Sequence, residues 1–426
     1  MDYFEYRDGA LYCEGVSVAG IARAVGTPAY IYSAATLLHH YHALAEAFAE
    51  LKPTICFSIK SLANLQILKL LAGAGSGFDV VSGGELARAM AIGADPAKIV
   101  YAGVGKTDGE VNEAIQAGIG LFNVESEAEF ENLSRLAAAA GRQVRAALRV
   151  NPDVYDPKTH RYTATGKKET KFGVDIDRAA EFFGAYGRDQ HVRLDAIHLH
   201  IGSPIYSAEP YVRAINKTLG LIDRLAGEGF EVSALDIGGG FAADYEAGAS
   251  PLAADYAQQI VPLLAGRELE VILEPGRQVA CNAGLLLTQV LYVKKGGEKT
   301  FVIVDAAMTD LVRPAMYGSE HFVCPARLAE GTPAPERRID WAPEGGVMVD
   351  VVGGVCESSD FLAKDRVLPP IRRGDLLGVF SAGAYGFTMS SQYNSRPRAP
   401  EVLVEGDRFR VIRSRETYEE LFALEQ

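Results

Sequence analysis

Residues 54–60, with the sequence TICFSIK, form a short apolar run, and seven similar runs follow it before residue 280. Helical patterns separate these runs, and strands that alternate with helices predict βαβ units and a parallel sheet. Eight such units favour a closed (β/α)8 barrel of the TIM type over an open sheet. The predicted strands are Thr54–Lys60, Gly77–Val81, Ile99–Gly103, Leu121–Val124, Arg145–Val150, Ala196–Gly202, Ala234–Gly239 and Glu270–Gly276.

The helical patterns between these runs begin with caps that the sequence makes visible. Ser82 with Glu85, and Ser126 with Glu129, fit the capping box, in which two side chains satisfy backbone donors at a helix start. These caps place helices directly after the second and the fourth predicted strands.

Alternation within the strands predicts which side chains enter the barrel. Inward and outward positions alternate along a barrel strand, and in the first strand Lys60 shares its face with Cys56 and Ser58. The same pattern places four further polar residues inside, near the carboxyl ends of their strands, where barrel enzymes keep their active sites. They are Asp79, Arg149, His200 and Glu274.

The rhythm changes at residue 281, after which strand patterns with Gly, Pro and Asp turns replace most of the helices. The predicted strands are Leu285–Lys294, Thr300–Asp305, Val347–Val352, Leu376–Ser381 and Val402–Ile412. We interpret them as a mostly antiparallel β domain, which the strand-like stretch Leu11–Val18 joins. The expected division is a barrel domain over residues 31–280 and a split β domain over residues 1–30 and 281–426.

Composition narrows the possible partners. The chain has 426 residues, 48% of them hydrophobic, and a formal net charge of −13, so nucleic acid is not an expected partner. No stretch approaches the ~20 consecutive apolar residues of a membrane helix, and no signal-peptide pattern opens the chain. The five cysteines are scattered without a CxxC pair, which predicts a reducing, cytoplasmic location and no disulfide framework or zinc cluster.

Lys60 is the first candidate for chemistry. A lysine that points into a barrel is desolvated and tends to lose its charge, and a neutral amine can attack a carbonyl carbon to form a Schiff base. A solvated lysine at a strand end is the alternative, and on position alone it is favoured by roughly two to one.

Glycine-rich loops follow the seventh and eighth predicted strands, where TIM barrels commonly bind phosphate. Gly238, Gly239 and Gly240 let backbone N–H groups approach phosphate oxygens, and Arg277 of the EPGR stretch adds positive charge. Glu274 of the same stretch can keep a pyridine nitrogen protonated, or it can form a structural ion pair, and the two interpretations carry equal weight.

Four further residues have both a chemical and a structural interpretation. His198 and His200 can be hydrogen-bonded core histidines, or one of them can stack on a planar cofactor. A metal site is not expected, because no third ligand has convincing spacing. Cys356 and Glu357, in GGVCESSD, place a thiol beside an acid and suit proton donation, although a lone cysteine is usually a small buried apolar residue.

Three residues after 281 are candidates for anion binding. Arg313 and Tyr317, in RPAMYG, can bind a carboxylate, and a surface salt bridge is the alternative. Tyr385, in SAGAYG, can bind a phosphate through its hydroxyl, although a packed tyrosine is favoured on local sequence alone. Lysine, ring-facing acid, phosphate loops and stacking histidine together describe one cofactor site.

The chain resembles the fold-type III pyridoxal-phosphate-dependent decarboxylases and, within them, the diaminopimelate decarboxylases. The resemblance covers nearly the whole chain in order and lies in FSIKSLAN, GFDVVSGGEL, YAGVGKTD, FNVESEAE, LRVNPDV, TGKKETKFG, HLHIGS, DIGGGF, EPGR, RPAMYG, GGVCESSD and SAGAYG. It implies an alanine-racemase-like two-domain architecture, pyridoxal 5'-phosphate as the cofactor, and a homodimer that shares its active sites through the Cys-Glu-Ser loop. The lysine motif FSIKSLAN departs from the family's commoner pattern, which begins Tyr-Ala and continues Lys-Ala-Asn.

The resemblance also implies roles for matching residues of the barrel. Lys60 carries the cofactor as a Schiff base, His200 stacks on its ring, and Glu274 pairs with the ring nitrogen. Asp79 and Arg149 support the lysine and its neighbours. The implied phosphate-binding residues are Ser203, Gly239, Gly240, Gly276, Arg277 and Tyr385.

For the substrate, the resemblance implies Cys356 as the proton donor and Glu357 as the group that grips a distal amine. The full set of implied substrate-binding residues is Arg277, Arg313, Tyr317, Glu357 and Tyr385. These residues favour a substrate with a distal amino-carboxylate. The expected reaction is therefore decarboxylation of meso-2,6-diaminopimelate to L-lysine and CO2, the last step of lysine biosynthesis.

Three alternatives stay open at this point. The nearest is a decarboxylase of the same fold that acts on ornithine, arginine, lysine or a carboxylated polyamine. An alanine-racemase-like enzyme shares the barrel, but the Cys-Glu-Ser loop argues against it. A non-catalytic homologue without the cofactor is the third, and the presence of Lys60, Glu274 and Cys356 argues against it.

Overall fold

The computed structural model describes residues 2–160, 165, 170–246, 248 and 250–425, so residues 166–169 of the motif TGKKETKFG lie outside the described residues. The chain forms two compact units. We call the first the β unit, composed of Met1–His39, Ala243–Ser250 and Val279–Gln426. We call the second the barrel unit, composed of His40–Ala242 and Pro251–Gln278.

Strands and helices are numbered along the described chain. The strands are β1 (Phe4–Arg7), β2 (Ala10–Cys13), β3 (Val16–Ser17), β4 (Ala29–Ser33), β5 (Thr54–Ser58), β6 (Gly77–Val80), β7 (Ile99–Tyr101), β8 (Leu121–Val124), β9 (Val144–Asn151), β10 (Val174–Asp175), β11 (Val192–His198), β12 (Ala234–Asp236), β13 (Glu270–Leu273), β14 (Gly284–Gly296), β15 (Lys299–Val304), β16 (Val323–Pro325), β17 (Val347–Val352), β18 (Phe361–Leu368), β19 (Leu376–Val379), β20 (Glu401–Glu405) and β21 (Arg408–Arg413). The α-helices are α1 (Val18–Val25), α2 (Ala34–Ala47), α3 (Leu65–Gly73), α4 (Gly83–Ala91), α5 (Asp108–Ala117), α6 (Glu127–Ala139), α7 (Ala179–Tyr186), α8 (Glu209–Gly227), α9 (Ala253–Leu264), α10 (Arg277–Ala280), α11 (Arg313–Tyr317) and α12 (Tyr418–Leu421). Short 3-10 helices span Ala49–Leu51, Ile59–Ser61, Pro96–Lys98, Ile176–Arg178, Phe387–Met389 and Tyr393–Ser395.

Parallel strands of the barrel unit close into a ring. Their order is β5–β6–β7–β8–β9–β11–β12–β13, and the pairing of β13 with β5 closes it. Strand β10 pairs with β9 outside the ring. The predicted (β/α)8 barrel is therefore confirmed, with helices between successive strands as the sequence patterns indicate.

The barrel interior has an apolar layer and a polar layer. Small and aliphatic side chains from seven strands form one buried cluster, made of Cys56, Val100, Leu121, Ala147, Ala196, Ala234 and Ile272. Two residues later on six of these strands, on the same inward face, comes a polar residue. These residues are Ser58, Asn123, Arg149, His198, Asp236 and Glu274, and all six are buried.

Six barrel strands end earlier than the sequence predicts, and β5 and β11 are two of them. Strand β5 ends at Ser58, and Lys60 lies in the 3-10 helix Ile59–Ser61. Strand β11 ends at His198, so His200 lies in the loop that follows. Both residues are thus carried by the turns at the carboxyl end of the barrel, where backbone leaves the ladder and can aim a side chain over the strand ends.

The predicted helix caps are present in a modified form. Ser82 accepts a hydrogen bond from the N–H of Glu85 at 3.2 Å, and Ser126 accepts one from the N–H of Glu129 at 3.2 Å. The return bonds differ from a capping box, because each glutamate accepts from the N–H of the residue before its serine. The glutamates therefore tie the strand end, as well as the cap, to the helix.

The β unit contains a mixed, mostly antiparallel sheet. Its strands run in the order β18–β17–β15–β14–β4–β20–β21, and β19 pairs with β14 and β16. The pairs β15–β17 and β4–β20 are parallel, and the others are antiparallel. Strands β1–β3 form a small separate antiparallel sheet.

The observed division differs from the expected boundaries at a few residues. Strand β4 pairs with both β14 and β20, so the expected barrel start at residue 31 falls inside a strand of the β unit. Ala243–Ser250 also belongs to the β unit, although it lies between barrel strands in the sequence. Strand pairing and local contacts, which the sequence does not display, set these limits.

Two predicted strands are wrong as single elements. The stretch Val402–Ile412 is the hairpin β20–β21, which turns at Gly406 with φ +64°. The stretch Leu11–Val18 is the hairpin β2–β3, and helix α1 begins at Val18. In both cases a polar turn containing glycine, at Glu14-Gly15 and at residues 405–408, divides the stretch into two strands.

In the described part of the chain, every helix is too short or too polar to cross a bilayer.

Candidate active site

The carboxyl end of the barrel holds an ion pair between Lys60 and Asp79. The Lys60 Nζ lies 2.7 Å from Asp79 Oδ2, and Ser58 donates its hydroxyl to the same oxygen at 2.5 Å. Asp79 is 0% exposed, whereas about a third of the lysine side chain, 35%, is accessible. The structure therefore shows a partly exposed amine beside a buried carboxylate, which lies between the two interpretations, a desolvated lysine and a solvated lysine at a strand end.

A second polar cluster fills the centre of the barrel and consists of His198, Asp236, Glu274 and Asn123. One possible ligand atom from each of the first three lies within 4.8 Å of the others. The His198 Nε2 is 3.4 Å from Glu274 Oε2. The Asn123 Nδ2 bridges the two carboxylates, at 3.3 Å from Glu274 and 3.5 Å from Asp236.

The two carboxylates of this cluster have opposite protonation tendencies. Burial and the neighbouring charge of Glu274 raise the pKa of Asp236 well above its ordinary value. Burial alone would also raise the pKa of Glu274, but His198 and Lys60 outweigh it and hold that pKa below its ordinary value. Like charges at close range disfavour ionisation of both carboxylates, and the directions of the two pKa shifts favour the charge on Glu274 and the proton on Asp236.

His200 is a neutral imidazole. Desolvation of the half-buried ring, followed by the charges of Arg149 and Lys60, lowers its pKa well below the ordinary value. Its Nδ1 is buried and has no hydrogen-bond partner among the described residues. A neutral ring with a free face suits stacking against a planar group, and of the two histidines it is His198 that approaches Glu274.

The glycine loop after β12 tolerates no side chain. A Cβ on Gly239 would lie 2.1 Å from the carbonyl oxygen of Glu274, and one on Gly240 would lie 2.3 Å from that of Gly202. Gly240 also has φ +100°, which L side chains rarely adopt. Asp236 Oδ1 accepts the N–H of Gly238 at 2.8 Å, so the central cluster also fixes the start of this loop.

Aromatic side chains form hydrogen bonds with the backbone of the glycine loop and of the loop beside it. Tyr211 donates its hydroxyl to the carbonyl oxygen of Gly239 at 2.8 Å and stacks on Phe241 with ring centroids 5.2 Å apart. The hydroxyl of Tyr256 donates to the carbonyl oxygen of Ile205 at 2.5 Å. These bonds leave the loop backbone rigid, which favours a preformed binding surface.

Ser203, Gly276 and Arg277 lie near the neighbouring strand ends. The Arg277 Nε donates to Ser203 Oγ at 3.2 Å, and the guanidinium side chain is buried. A Cβ on Gly276 would lie 3.0 Å from Ser61 Oγ, which keeps that position small. The implied phosphate-binding residues of the barrel unit therefore come from consecutive loops at one end of the barrel.

Arg149 belongs to a buried ion pair. Its Nη1 donates to Glu125 Oε1 at 3.0 Å, and its guanidinium lies 4.8 Å from the ring centroid of Phe172. Glu125 also accepts the backbone N–H groups of Gly103 and Gly173 at 3.1 Å each. Arg149 is thus linked to two loops through Glu125, and it adds positive charge near His200. Among the described residues, Arg149 forms no hydrogen bond with Lys60.

In the β unit, Arg313 is surrounded by aromatic rings. Its guanidinium carbon lies 5.5 Å from the ring centroid of Tyr245, 5.6 Å from that of Tyr317 and 6.0 Å from that of Tyr385. The side chain is buried, and it donates to Ser319 Oγ at 3.1 Å. Its Nε has no partner, and no carboxylate pairs with it, among the residues that the structure describes.

Cys356 and Glu357 lie on an exposed loop of the β unit. The Cys356 N–H donates to Asn394 Oδ1 at 3.3 Å, and the Tyr393 hydroxyl donates to Glu357 Oε1 at 2.6 Å. Cys356 is the one exposed cysteine, and the other four are buried. The Cys-Glu-Ser loop is therefore presented to its surroundings rather than packed into the β unit.

The structure brings the sequence-predicted residues into separate groups. One group lies in the barrel unit, and two lie in the β unit around Arg313 and on the Cys356 loop. Sequence reasoning missed Asn123, Asp236 and Tyr245. The first two are polar residues at inward positions of buried strands, a signal that the sequence contains, whereas Tyr245 is recognised only through its contact with Arg313.

The barrel residues fit pyridoxal 5'-phosphate by chemistry. Buried polar atoms without a partner in the described chain cluster here, namely Asp79 Oδ1, Asn123 Oδ1, His200 Nδ1 and both ring nitrogens of His198. Buried polar atoms normally have hydrogen-bond partners, so this concentration is a sign of a polar ligand site. The Lys60 amine matches the aldehyde of that cofactor, and the Glu274 carboxylate matches its ring nitrogen. The His200 imidazole matches the ring face, and the glycine loop matches the phosphate.

Comparison with known proteins agrees with this class. The family model described as "Pyridoxal-dependent decarboxylase, pyridoxal binding domain" matches residues 34–281. The matched range includes Lys60, His200 and Glu274. Fold and site thus define a pyridoxal-dependent decarboxylase built on a (β/α)8 barrel.

Relatives over the whole chain narrow the class. The diaminopimelate decarboxylase of Pseudomonas aeruginosa is 47% identical over 423 residues, covering 99% of this chain and 98% of that protein. That of Vibrio cholerae is 44% identical, covering 100% and 99%. The crystal structure of the Helicobacter pylori diaminopimelate decarboxylase complexed with L-lysine matches with a TM-score of 0.89 at 39% identity, covering 96% of this chain and 98% of that one. The chain belongs to the diaminopimelate decarboxylase family.

Proposed function

We propose that this protein removes one carboxylate of meso-2,6-diaminopimelate as CO2 and releases L-lysine, the last step of lysine biosynthesis. The observation that carries the proposal is the barrel end, which holds the Lys60 amine paired with Asp79 and, as a second group, the buried Glu274 beside His198. The charge of Lys60 also lowers the pKa of Glu274. Together the two groups supply an amine for carbonyl chemistry and a negative charge for a pyridinium nitrogen.

The cofactor is pyridoxal 5'-phosphate. When bound, it supplies an electron sink for the bond that breaks between the α-carbon and the carboxylate. On the protein side, Lys60 provides the amine that attaches it, and Asp79 orients that amine at 2.7 Å. With the cofactor bound, His200 would present an uncharged ring face to it, and Glu274 would keep its ring nitrogen protonated.

The phosphate is proposed to bind at the loops after β11, β12 and β13. These loops contribute backbone N–H groups at glycines and the buried charge of Arg277. The proposed phosphate-binding residues are Ser203, Gly239, Gly240, Gly276, Arg277 and, from the β unit, Tyr385. The glycines support the proposal, because N–H groups of a glycine-rich loop can approach phosphate oxygens. The collisions that a Cβ at Gly239 or Gly240 would make with backbone oxygens show in addition that the conformation of this loop requires glycine.

Arg313 is proposed to hold a substrate carboxylate. A buried guanidinium normally has an anionic partner, because an uncompensated buried charge is costly. Here the charge is surrounded by Tyr245, Tyr317 and Tyr385, and its Nε has no partner among the described residues. An incoming carboxylate would complete this site, with the hydroxyls of Tyr317 and Tyr385 at its edge and Arg277 as the further proposed substrate residue.

Glu357 and Cys356 are proposed to act on the two ends of the substrate. Hydrogen bonds from Tyr393 and Ser359 lower the pKa of Glu357, so its carboxylate is ionised and suits a distal ammonium group. The Cys356 Sγ is proposed to donate the proton that replaces the departing carboxylate. The exposure of both side chains supports these roles, because neither is committed to packing within its own unit.

We also propose a homodimer in which the Cys356 loop of one subunit completes the active site of its partner. An exposed thiol and acid at the tip of a well-anchored loop suit such an exchange, and a two-fold interface would build two equal sites. A mixing experiment tests it. Lys60→Ala and Cys356→Ala variants, each inactive, should regain about a quarter of wild-type activity when mixed under subunit exchange.

If each subunit used its own Cys356 loop, no mixture of these two variants could form an intact site. Absence of recovery, with exchange proven by tagged subunits, would contradict the shared site. Sedimentation of the wild type as a monomer at assay concentration would contradict the dimer itself.

The reaction is tested by CO2 release from meso-diaminopimelate with and without added cofactor. We expect release that depends on pyridoxal 5'-phosphate and yields L-lysine. A panel of ornithine, arginine, lysine and a carboxylated polyamine serves as the control for the same-fold alternatives. Faster release from any of these than from diaminopimelate would overturn the substrate assignment and keep the class.

A cytoplasmic location is the remaining proposal. It is supported by the five cysteines, which form no disulfide among the described residues even at the exposed Cys356. Cell fractionation with an antibody against the protein tests it, and recovery mainly from a secreted or membrane fraction would contradict it.

A further inference from the structure

The loop that carries Cys356 and Glu357 is anchored at its far end by Asp360. The Asp360 Oδ2 accepts the N–H of Val355 at 2.6 Å, and its Oδ1 accepts the N–H of Met308 at 2.6 Å. Asp360 is buried, and burial raises its pKa despite these two bonds. The base of the loop is therefore fixed to the β unit before any contact at its tip is considered.

The tip of the loop is held by two consecutive residues of another segment. Tyr393 donates its hydroxyl to Glu357 Oε1 at 2.6 Å, and Asn394 accepts the N–H of Cys356 at 3.3 Å. Ser359, within the loop, donates to Glu357 Oε2 at 3.1 Å. Both carboxylate oxygens of Glu357 are thus engaged on one side, and each still has a lone pair for a further donor.

The segment that contains Tyr393 and Asn394 has an unusual backbone. Asn394 and Ser395 both adopt positive φ, at 55° and 53°. Two adjacent non-glycine residues in this region are strained, and such strain persists where the surrounding structure or a function requires it. In this case the left-handed turn lets Tyr393 and Asn394 face the same loop together.

We propose that Tyr393 is a specificity-determining positioning residue, which aims the Glu357 carboxylate at the distal ammonium group of the substrate. The inference rests on the proposed function, because it assumes that Glu357 grips that group. An exposed glutamate samples many rotamers. A short hydrogen bond to one oxygen restricts them and presents the remaining lone pairs in one direction.

A purely structural clip is the competing explanation. In that case Tyr393 would hold the loop in place, and its loss would disturb Cys356 and Glu357 together. The two explanations differ in what they do to KM and kcat. Aiming of Glu357 changes only the binding of substrates that carry a distal ammonium group, whereas a displaced loop also slows proton transfer from Cys356.

The experiment compares Tyr393→Phe with Tyr418→Phe, which removes the same hydroxyl from a tyrosine that is 68% exposed in the same unit. Both variants and the wild type are assayed as the full-length enzyme with cofactor. The substrates are meso-diaminopimelate and 2-aminopimelate, a diacid of the same length without the distal amine. Cofactor absorption and thermal unfolding are recorded for each variant.

For Tyr393→Phe we expect KM for diaminopimelate to rise about tenfold, the usual scale of a hydrogen bond to a charged group, with kcat within about twofold. KM for 2-aminopimelate should match that of the wild type. In a Glu357→Gln background the same substitution should have little further effect, because the two residues act as one unit.

If the wild type is active on diaminopimelate, two results would overturn the inference about Tyr393 and leave the proposed function intact. One is a KM for Tyr393→Phe equal to that of Tyr418→Phe. The other is an equal loss on both substrates with a lower kcat, which is the signature of the structural clip. A wild type that releases no CO2 from diaminopimelate would overturn the proposed function and this inference together.

Discussion

The polar residues of the barrel and the Cys356 loop of the β unit differ in burial and in how their side chains are held. Asp79 and Glu274 are 0% and 4% exposed and share their bonds with other side chains. Cys356 and Glu357 are exposed, and the loop is held mainly through its backbone. Groups that need a fixed charge state are buried in a network, whereas groups proposed to reach the substrate stay outside on a rigid support.

This contrast predicts how each region fails. In the barrel cluster, loss of one side chain leaves its buried partners uncompensated and should change cofactor binding and stability together. On the loop, loss of a side chain should slow the reaction and leave the cofactor site intact. Substitutions in the two regions can therefore be separated by absorption spectra and thermal unfolding as well as by rate.

The largest expected effect is that of Lys60→Ala. Loss of the amine should remove the visible absorption of the cofactor–lysine Schiff base and lower kcat by about a thousandfold or more. Lys217→Ala, which removes a lysine bonded to the Pro152 carbonyl oxygen elsewhere in the barrel unit, is the control. Retained absorption and activity in Lys60→Ala would break the assignment of the barrel site.

Glu274→Gln should come next. It keeps the shape of the side chain but removes the charge, so kcat should fall by about a hundredfold to a thousandfold and the cofactor absorption should shift. Thermal stability should also fall, because His198 and Asp236 lose their charged partner. Glu270→Gln on the same strand, at a side chain that is 43% exposed, should leave kcat and the spectrum unchanged.

Cys356→Ser tests whether the loop can be changed without an effect on the barrel site. A hydroxyl is a poorer acid than a thiol, so kcat should fall by about a hundredfold while absorption and melting temperature stay at wild-type values. Stopped-flow absorption and scanning calorimetry provide the two readouts. A changed cofactor spectrum in this variant would mean that the loop and the barrel cluster are not separable.

The remaining effect concerns the pH dependence of stability at Glu85. Burial, followed by the charge of Asp79, raises the pKa of Glu85 to about 7. The folded state therefore binds this proton more tightly than the unfolded state does. The stability that the neutral carboxyl provides is fully present below the unfolded pKa of about 4.5 and is lost as the pH rises to about 7.

Glu85→Gln mimics the neutral form at every pH. Its free energy of unfolding should equal that of the wild type below about pH 4.5 and exceed it at pH 8 by about 3 kcal/mol. Urea unfolding at both pH values gives the measurement. A difference that is the same at both pH values would show that the Glu85 carboxyl does not titrate in this range.

The barrel and its inward face could be predicted because alternation leaves a direct trace in the sequence. Each polar residue of the cluster lies two positions after a small or aliphatic core residue, as Asp236 follows Ala234 and Glu274 follows Ile272. Asn123 and Asp236 carried the same trace and were not recognised as part of the site. Their importance comes from each other's proximity, which only the closed ring creates.

The hairpin β20–β21 has a local signal that the single-strand prediction misses, because Gly406 stands within the polar stretch 405–408. Other features have no local signal. Tyr245 and Tyr393 matter through tertiary contacts with Arg313 and Glu357, and neither lies in a motif that suggests such a partner. The protonation states of Asp236 and Glu274 likewise depend on distances that spacing along the chain does not determine.

The most direct test of the central claim is to find the lysine that carries the cofactor. The holoenzyme is reduced with borohydride, digested, and its peptides are mapped by mass spectrometry. The account predicts a pyridoxyl group on Lys60, in the peptide that contains FSIKSLAN. A label on another lysine such as Lys106, or no covalent label on a protein that still releases CO2, would contradict it.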